Sequence, residues 1–174
     1  MLLNLIDVLS NEGRTEDFTV TYTPAFFKKR GGQYKVLENG PVSISLQNTG
    51  KGKLHLTGKG RLLLQARCDR CLGRVDVPIE VSFDEEISEE TILRLTSETD
   101  EYPYLSGYEL DTDVLIGNEI LVNWPVKILC KEDCKGICPK CGRDLNQGDC
   151  GCDTFEPDPR MAVLKDIFIA NKEV

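Results

Sequence analysis

The chain has 174 residues, 40% hydrophobic and 29% charged, a soluble mix with apolar mass for one core and a small appended module. No stretch approaches the roughly 18 uninterrupted apolar residues of a membrane helix, so a helical span is excluded and no membrane partner is expected. The net charge of −8 argues against a surface that coats nucleic acid indiscriminately, yet leaves room for a local basic face.

The N-terminal stretch from Met1 to Asp7 has no basic region and its apolar run breaks early, so the expected address is cytoplasmic. Charge is strongly segregated along the chain. Residues 28–74 carry a net +9, and residues 75–126 a net −13. This asymmetry reads either as a cationic face for phosphate-rich RNA beside an acidic arm, or as two surfaces that pair with each other.

From Val42 to Ile87 the chain reads as strands. Val42-Ser43-Ile44-Ser45-Leu46 and Leu54-His55-Leu56-Thr57 alternate at period two, and Val75 to Phe83 alternates again. Asn48 to Gly52 is turn chemistry, and Gly58-Lys59-Gly60 reads as the next turn. Pro78 suits an edge or a bulge. Residues 84–113 are acidic and read as an excursion with one helical turn near Ser88 to Leu95.

A helix is expected near 112–123, capped by Asp111 or Thr112, with Val114, Leu115, Ile120 and Leu121 as core contacts and Pro125 preventing its continuation. A last helix is expected from Asp158 and Pro159, with Val163, Leu164, Ile167 and Phe168 forming one apolar stripe. The fold class is therefore α+β: an antiparallel β-meander or partial barrel with one or two C-terminal helices and zinc-knuckle loops. Residues 1–129 form the β-rich domain. Residues 130–174 form a cysteine-rich segment and helix packed on the same domain.

Eight cysteines carry the chemistry: Cys68, Cys71, Cys130, Cys134, Cys138, Cys141, Cys150 and Cys152. In a reducing compartment clustered cysteines are metal ligands or redox centres more often than disulfides. Cys68-Asp69-Arg70-Cys71 and Cys138-Pro139-Lys140-Cys141 are C-x2-C knuckles followed by turning residues, the spacing that brings two thiolates to one metal. Eight thiolates fit two closed, structural zinc sites. Cys138, Cys141, Cys150 and Cys152 lie in one short loop and are paired together, leaving Cys68 and Cys71 to meet Cys130 and Cys134. Partitions in which Cys130 and Cys134 join the C-terminal knuckle stay open. A dithiol redox centre is disfavoured, because Cys68 and Cys71 lie between strands rather than at a helix N-terminus.

No catalytic constellation accompanies them. The one histidine, His55, lies on an alternating strand and reads as a surface residue, and no phosphate-binding loop or dinucleotide fingerprint appears. An enzyme is not expected, nor a small-molecule substrate.

Arg67-Cys68-Asp69-Arg70-Cys71-Leu72, Leu121-Val122-Asn123-Trp124-Pro125, the run from Cys134 to Asn146 and Asp158-Pro159-Arg160 occur in that order. Together they resemble the YceD family, described as large ribosomal RNA subunit accumulation proteins. The resemblance covers roughly Val42 to Phe168. It implies a non-enzymatic factor supporting accumulation, processing or assembly of large-subunit (23S) ribosomal RNA, with ribosomal RNA or a pre-50S particle as partner. The alternative is an adaptor that binds a ribosomal or RNA-processing protein through the acidic arm. The RNA-binding candidates are Lys51, Lys53, Lys59 and Arg61 around two turns and Arg67, Arg70 and Arg74 around the first knuckle, with Lys127, Lys131, Lys135, Lys140 and Arg143 as an extension. Tyr34 is the only aromatic residue in the basic block, which favours recognition of shape or phosphate over stacking on single-stranded bases.

Overall fold

Alternating apolar and polar residues from Val42 onward fold into long antiparallel strands, because period two places every second side chain on the same face. The computed structural model describes residues 1–94 and 102–152. The chain forms two compact units, one of Met1–Arg67 with Arg74–Ile128 and one of Cys68–Gly73 with Leu129–Val174. The expected helix from Asp158 lies outside the described residues.

The first unit opens with β1 (Leu2–Asn4), a single turn α1 (Ile6–Leu9), β2 (Thr15–Val20), β3 (Phe26–Lys29) and β4 (Gly32–Glu38). Then come β5 (Val42–Gly50), β6 (Lys53–Arg67), β7 (Arg74–Ser88), α2 (Glu89–Arg94), β8 (Leu105–Ser106), β9 (Glu109–Asp111) and α3 (Thr112–Val122). β1, β9 and β8 make a small antiparallel sheet. The main sheet has six strands in the order β2-β5-β6-β4-β3, with β7 paired to β6. β7 runs along one edge of β6 for its whole length, so β5 and β4 follow one another along the other edge. The architecture is α+β, with an antiparallel meander at its centre. Among the described residues no helix is long and apolar enough to cross a membrane.

One face of this sheet is the core. Val42, Ile44 and Leu46 of β5, Leu54, Leu56, Leu62 and Leu64 of β6, and Ile79, Val81 and Ile87 of β7 are buried. Each such side chain contributes about 1.5–3 kcal/mol when fully removed from water. α3 packs against β7. Its N-cap is Asp111, whose carboxylate accepts hydrogen bonds from the Asp113 and Val114 N–H groups. Leu115, Ile116 and Ile120 are buried, whereas Val114 and Leu121, expected in the core, face solvent.

Two sequence readings are corrected here. Gly58-Lys59-Gly60 is not a turn but the middle of β6. A Cβ on Gly58 would lie 2.2 Å from the Phe83 ring, and one on Gly60 would lie 2.6 Å from Val42. The glycines therefore answer close approach of neighbouring strands rather than chain reversal. The true reversal is Lys51-Gly52, both at positive φ, the geometry of a tight two-residue hairpin. The acidic run from Asp84 is likewise no loop at its start. It continues β7 to Ser88, whose hydroxyl accepts from the Thr91 N–H and starts α2. Glu85 there turns toward α3 and accepts a hydrogen bond from the Tyr104 hydroxyl. Burial and then the Glu85 charge raise the Glu119 carboxyl above its ordinary range.

Beyond α3 the chain places Trp124 against the β3–β4 hairpin. Its ring lies 5.8 Å from that of Phe27 and 4.4 Å from that of Tyr34, with Lys29 Nζ 4.8 Å above it. Tyr34 is thus engaged in packing. Trp124→Ala is expected to destabilise the first unit by roughly 2–3 kcal/mol, below the 3–5 kcal/mol of a fully buried tryptophan because the ring is half-buried. Denaturant titration followed by circular dichroism measures it.

Candidate functional site

All eight cysteines fall in the second unit and all are reduced. They form two sets. The sulfurs of Cys68, Cys71, Cys130 and Cys134 lie within 4.8 Å of one another, as do those of Cys138, Cys141, Cys150 and Cys152.

Each knuckle is a tight turn closed by the same two backbone bonds. In the first, Leu72 N–H donates to the Cys68 carbonyl and Cys68 N–H to the Gly73 carbonyl. In the second, Gly142 N–H donates to the Cys138 carbonyl and Cys138 N–H to the Arg143 carbonyl. The turning position has positive φ in both, 71° at Gly142 and 61° at Leu72. The first knuckle therefore carries its left-handed residue as leucine, one position before the glycine that the sequence suggested. That costs of order 1 kcal/mol, which the rest of the turn must offset.

The spacing of the sulfurs fits a metal. A tetrahedron with metal–sulfur bonds of about 2.3 Å has sulfur–sulfur edges of about 3.8 Å. Cys68 and Cys134 sulfurs are 3.8 Å apart, and Cys71 and Cys130 sulfurs 3.6 Å. The electrostatics agree. The Cys71 N–H does most to draw the Cys68 thiol down to about 6, against burial, and the Arg70 and Cys130 N–H groups add to it. The Cys130 thiol is pushed up to about 12, first by its hydrogen bond with Cys134. In the other set the Cys141 and Lys140 N–H groups draw Cys138 down to about 6, while the neighbouring Cys141 and Cys150 sulfurs push Cys152 up to about 12. Four sulfurs this close resist carrying four negative charges, and a divalent cation at their centre removes that conflict.

Three contacts brace the first set. Arg70 Nη1 donates to the Cys134 carbonyl at 2.7 Å, so this arginine is committed to the knuckle. Gly136, at φ 79°, passes so near the Arg70 carbonyl that a Cβ would lie 3.1 Å from it. Asn146 reaches back from a 3-10 turn, Leu145–Gln147, and donates to the Cys134 sulfur at 3.4 Å. Its side-chain oxygen accepts the Lys135 N–H, and its amide and backbone N–H groups donate to Asp144. Sequence reading assigned Asn146 no role. The Asp144-x-Asn146 turn spacing was the local signal, but its reach to Cys134 appears only on folding.

The remaining sequence-named cations divide between the units. Lys53, Lys59, Arg61 and Arg67 occupy odd positions of β6 and face away from the core, and Arg74 of β7 pairs directly opposite Arg67. Lys51 sits in the hairpin turn. Asp76, Glu80, Asp84 and Glu86 of β7 share that outward face. Lys53 is 2.6 Å from Glu86, and His55 Nε2 is 2.7 Å from Asp84. In the second unit Lys131 pairs with Asp133 at 3.8 Å.

A family model described as "Large ribosomal RNA subunit accumulation protein YceD" matches residues 56–168, a span that holds every one of the eight cysteines. The chain belongs to the YceD family. Among curated proteins it is 26% identical over 128 residues to an uncharacterized protein of Mycobacterium bovis and to an uncharacterized protein of Mycobacterium tuberculosis. Each alignment covers 73% of this chain and 61% of the relative, so the chain spans less than two thirds of the length of the curated proteins it matches. No solved structure matches it. Within this YceD chain the family match begins in β6, leaving β1 to β5 outside it.

Asn146→Ala is expected to lower the metal affinity of the Cys68 set by about 10–100-fold, the usual effect of removing a hydrogen bond to a ligand atom. The Cys138 set should be unchanged. Chelator competition monitored at each set, with cobalt(II) as a coloured probe, measures both.

Proposed function

We propose that the chain is a non-enzymatic factor in the accumulation, processing or assembly of large-subunit (23S) ribosomal RNA. In this reading Cys68, Cys71, Cys130 and Cys134 hold one zinc ion and Cys138, Cys141, Cys150 and Cys152 a second. Both sites are structural. Four thiolates fill the tetrahedral shell and leave no position for a reacting water. The N–H groups aimed at Cys68, Cys134 and Cys138 offset the excess negative charge of such a centre. Zinc bound this way contributes ~10 kcal/mol or more in small modules, enough to order a loop-rich unit with little apolar core.

The RNA or pre-50S contact is assigned to the outward face of the main sheet, by phosphate-directed cations. The observation that carries it is the display of Lys59, Arg61, Arg67 and Arg74 on one sheet face of an otherwise acidic chain, in a family described by large-subunit ribosomal RNA. Arg70 contributes to the knuckle, and Lys53 is neutralised by Glu86. A second reading draws on Asp76, Glu80, Asp84 and Glu86 at alternate positions of β7. That acidic ladder suits a protein partner with a basic surface, such as a ribosomal or RNA-processing protein.

Two measurements test the proposal. Metal analysis of the purified full chain should find about two zinc ions, falling to about one in Cys150→Ser/Cys152→Ser. Acidification should release them, since protons compete for the thiolates. A metal-free yet folded protein overturns the zinc assignment. Binding to ribosomal RNA fragments should weaken roughly 50-fold between 50 and 200 mM salt for about four phosphate contacts. It should be lost when Lys59, Arg61, Arg67 and Arg74 are replaced by glutamate. Unaltered RNA association in that variant favours the adaptor reading.

A further inference from the structure

The outward sheet face is not uniform. Toward the Lys53 end its basic residues meet acids: Lys53 pairs with Glu86 and Arg61 stands opposite Glu80, while the His55 ring hydrogen-bonds Asp84. Toward the other end the pattern reverses. Arg67 stands directly opposite Arg74, and among the described residues neither enters an ion pair. Like charges directly opposite on neighbouring strands are destabilising, so this rung is one that a bound anion would relieve.

The β3–β4 hairpin adds to the same face. Phe26 pairs opposite Lys35, Lys35 opposite Gln65, and Gln65 opposite Asp76, so these side chains form one row across four strands. Lys28, two residues along from Phe26, projects on the same side and is exposed. Phe26 is 45% exposed, whereas its neighbour Phe27 is buried beneath the sheet with Trp124. Strands lie about 4.8 Å apart, so Phe26 and Gln65 are roughly 10 Å from each other, and Lys28, Arg67 and Arg74 lie together along one side of the line between them. Two acids border the set, Asp76 in the row itself and Glu38 opposite Leu63 on its other side.

We infer that this end of the sheet is a binding site for single-stranded RNA, with Phe26 as a base-stacking platform and Lys28, Lys35, Arg67 and Arg74 as its phosphate contacts. The inference rests on the RNA reading above and deepens it. Duplex RNA presents phosphates and 2′-hydroxyls but no open base face, so it has no use for an exposed phenyl ring. Unpaired loops and strands offer exactly that face, and stacking on an aromatic side chain tolerates any base. Gln65 supplies both a donor and an acceptor at the centre of the row for a base edge or a ribose hydroxyl. The sequence offers only Tyr34 as an aromatic in the basic block, and on that ground favours shape or phosphate over stacking on single-stranded bases. Tyr34 packs on Trp124, and Phe26, two residues before that block begins, holds the outward position instead.

The test is fluorescence anisotropy of the full-length protein with two probes, a 12-nucleotide single-stranded uridine-rich RNA and a blunt RNA duplex of the same length. The wild type is expected to prefer the single strand. Phe26→Ala should weaken it by about tenfold or more, Phe26→Trp should restore it, and duplex binding should not respond to either. Arg67→Gln/Arg74→Gln should reduce the salt slope for the single strand by about 1.4, two contacts' worth. Thermal melts establish that each variant folds. If Phe26→Ala and the arginine pair bind the single strand as wild type does, while reversal of Lys59 and Arg61 abolishes binding, the inference is overturned and the RNA reading survives. If the duplex is preferred, the stacking site is overturned. If neither probe binds, both fall.

Discussion

Along fifteen residues β6 and β7 exchange hydrogen bonds without a break, from Lys53 opposite Ser88 to Arg67 opposite Arg74. That register decides which side chains become core and which become surface. Because the side-chain period of a strand is two, even positions of β6 and odd positions of β7 go inward together, and every cation of β6 goes outward. A one-residue slip would bury Lys59, Arg61 and Arg67 and expose Leu54, Leu56 and Leu62. The hairpin also delivers Cys68 and Cys71 at its tip, where the chain passes into the second unit.

At that tip the organising force changes from apolar burial to the electrostatics of sulfur. The described part of the second unit buries little beyond Cys68, Cys134, Gly136 and Cys138. Order there comes from turns whose N–H groups point at sulfur and from polar ties such as Arg70 to the Cys134 carbonyl and Asn146 to the Cys134 sulfur. The donors that reach sulfur, Asn146 and the turn N–H groups, favour thiolate over thiol at Cys68, Cys134 and Cys138, and so favour whatever cation the thiolates gather around. The acceptance of Leu72 at positive φ is intelligible on the same ground, since the turn is held by its neighbours rather than by the leucine's own preference.

What could be read from sequence was what is local. Alternation in Val42–Leu46 and Val75–Phe83, the Asp111 cap and the C-x2-C knuckles all express themselves within a few residues, and all appear in the fold. Gly58-Lys59-Gly60 was misread because glycine marks both a turn and a close approach, and the close neighbour, Phe83, is distant in sequence. The acidic run was misread because Asp84 and Glu86 are solvated on one side while Phe83 and Ile87 are buried on the other, a strand whose charges disguised its apolar face. The short strands β2 to β4 carried no long alternation to announce them. The split between neutralised and free cations on the outer face depends on cross-strand partners, which no local pattern reveals.

The only tryptophan in the chain, Trp124, lies in the first unit against Phe27 and Tyr34. Its emission therefore reports the β3–β4 hairpin and its surroundings. An unfolding curve followed by tryptophan fluorescence describes the first unit. Thiol reactivity or a coloured metal substitute is the matching optical window on the second, which holds all eight cysteines.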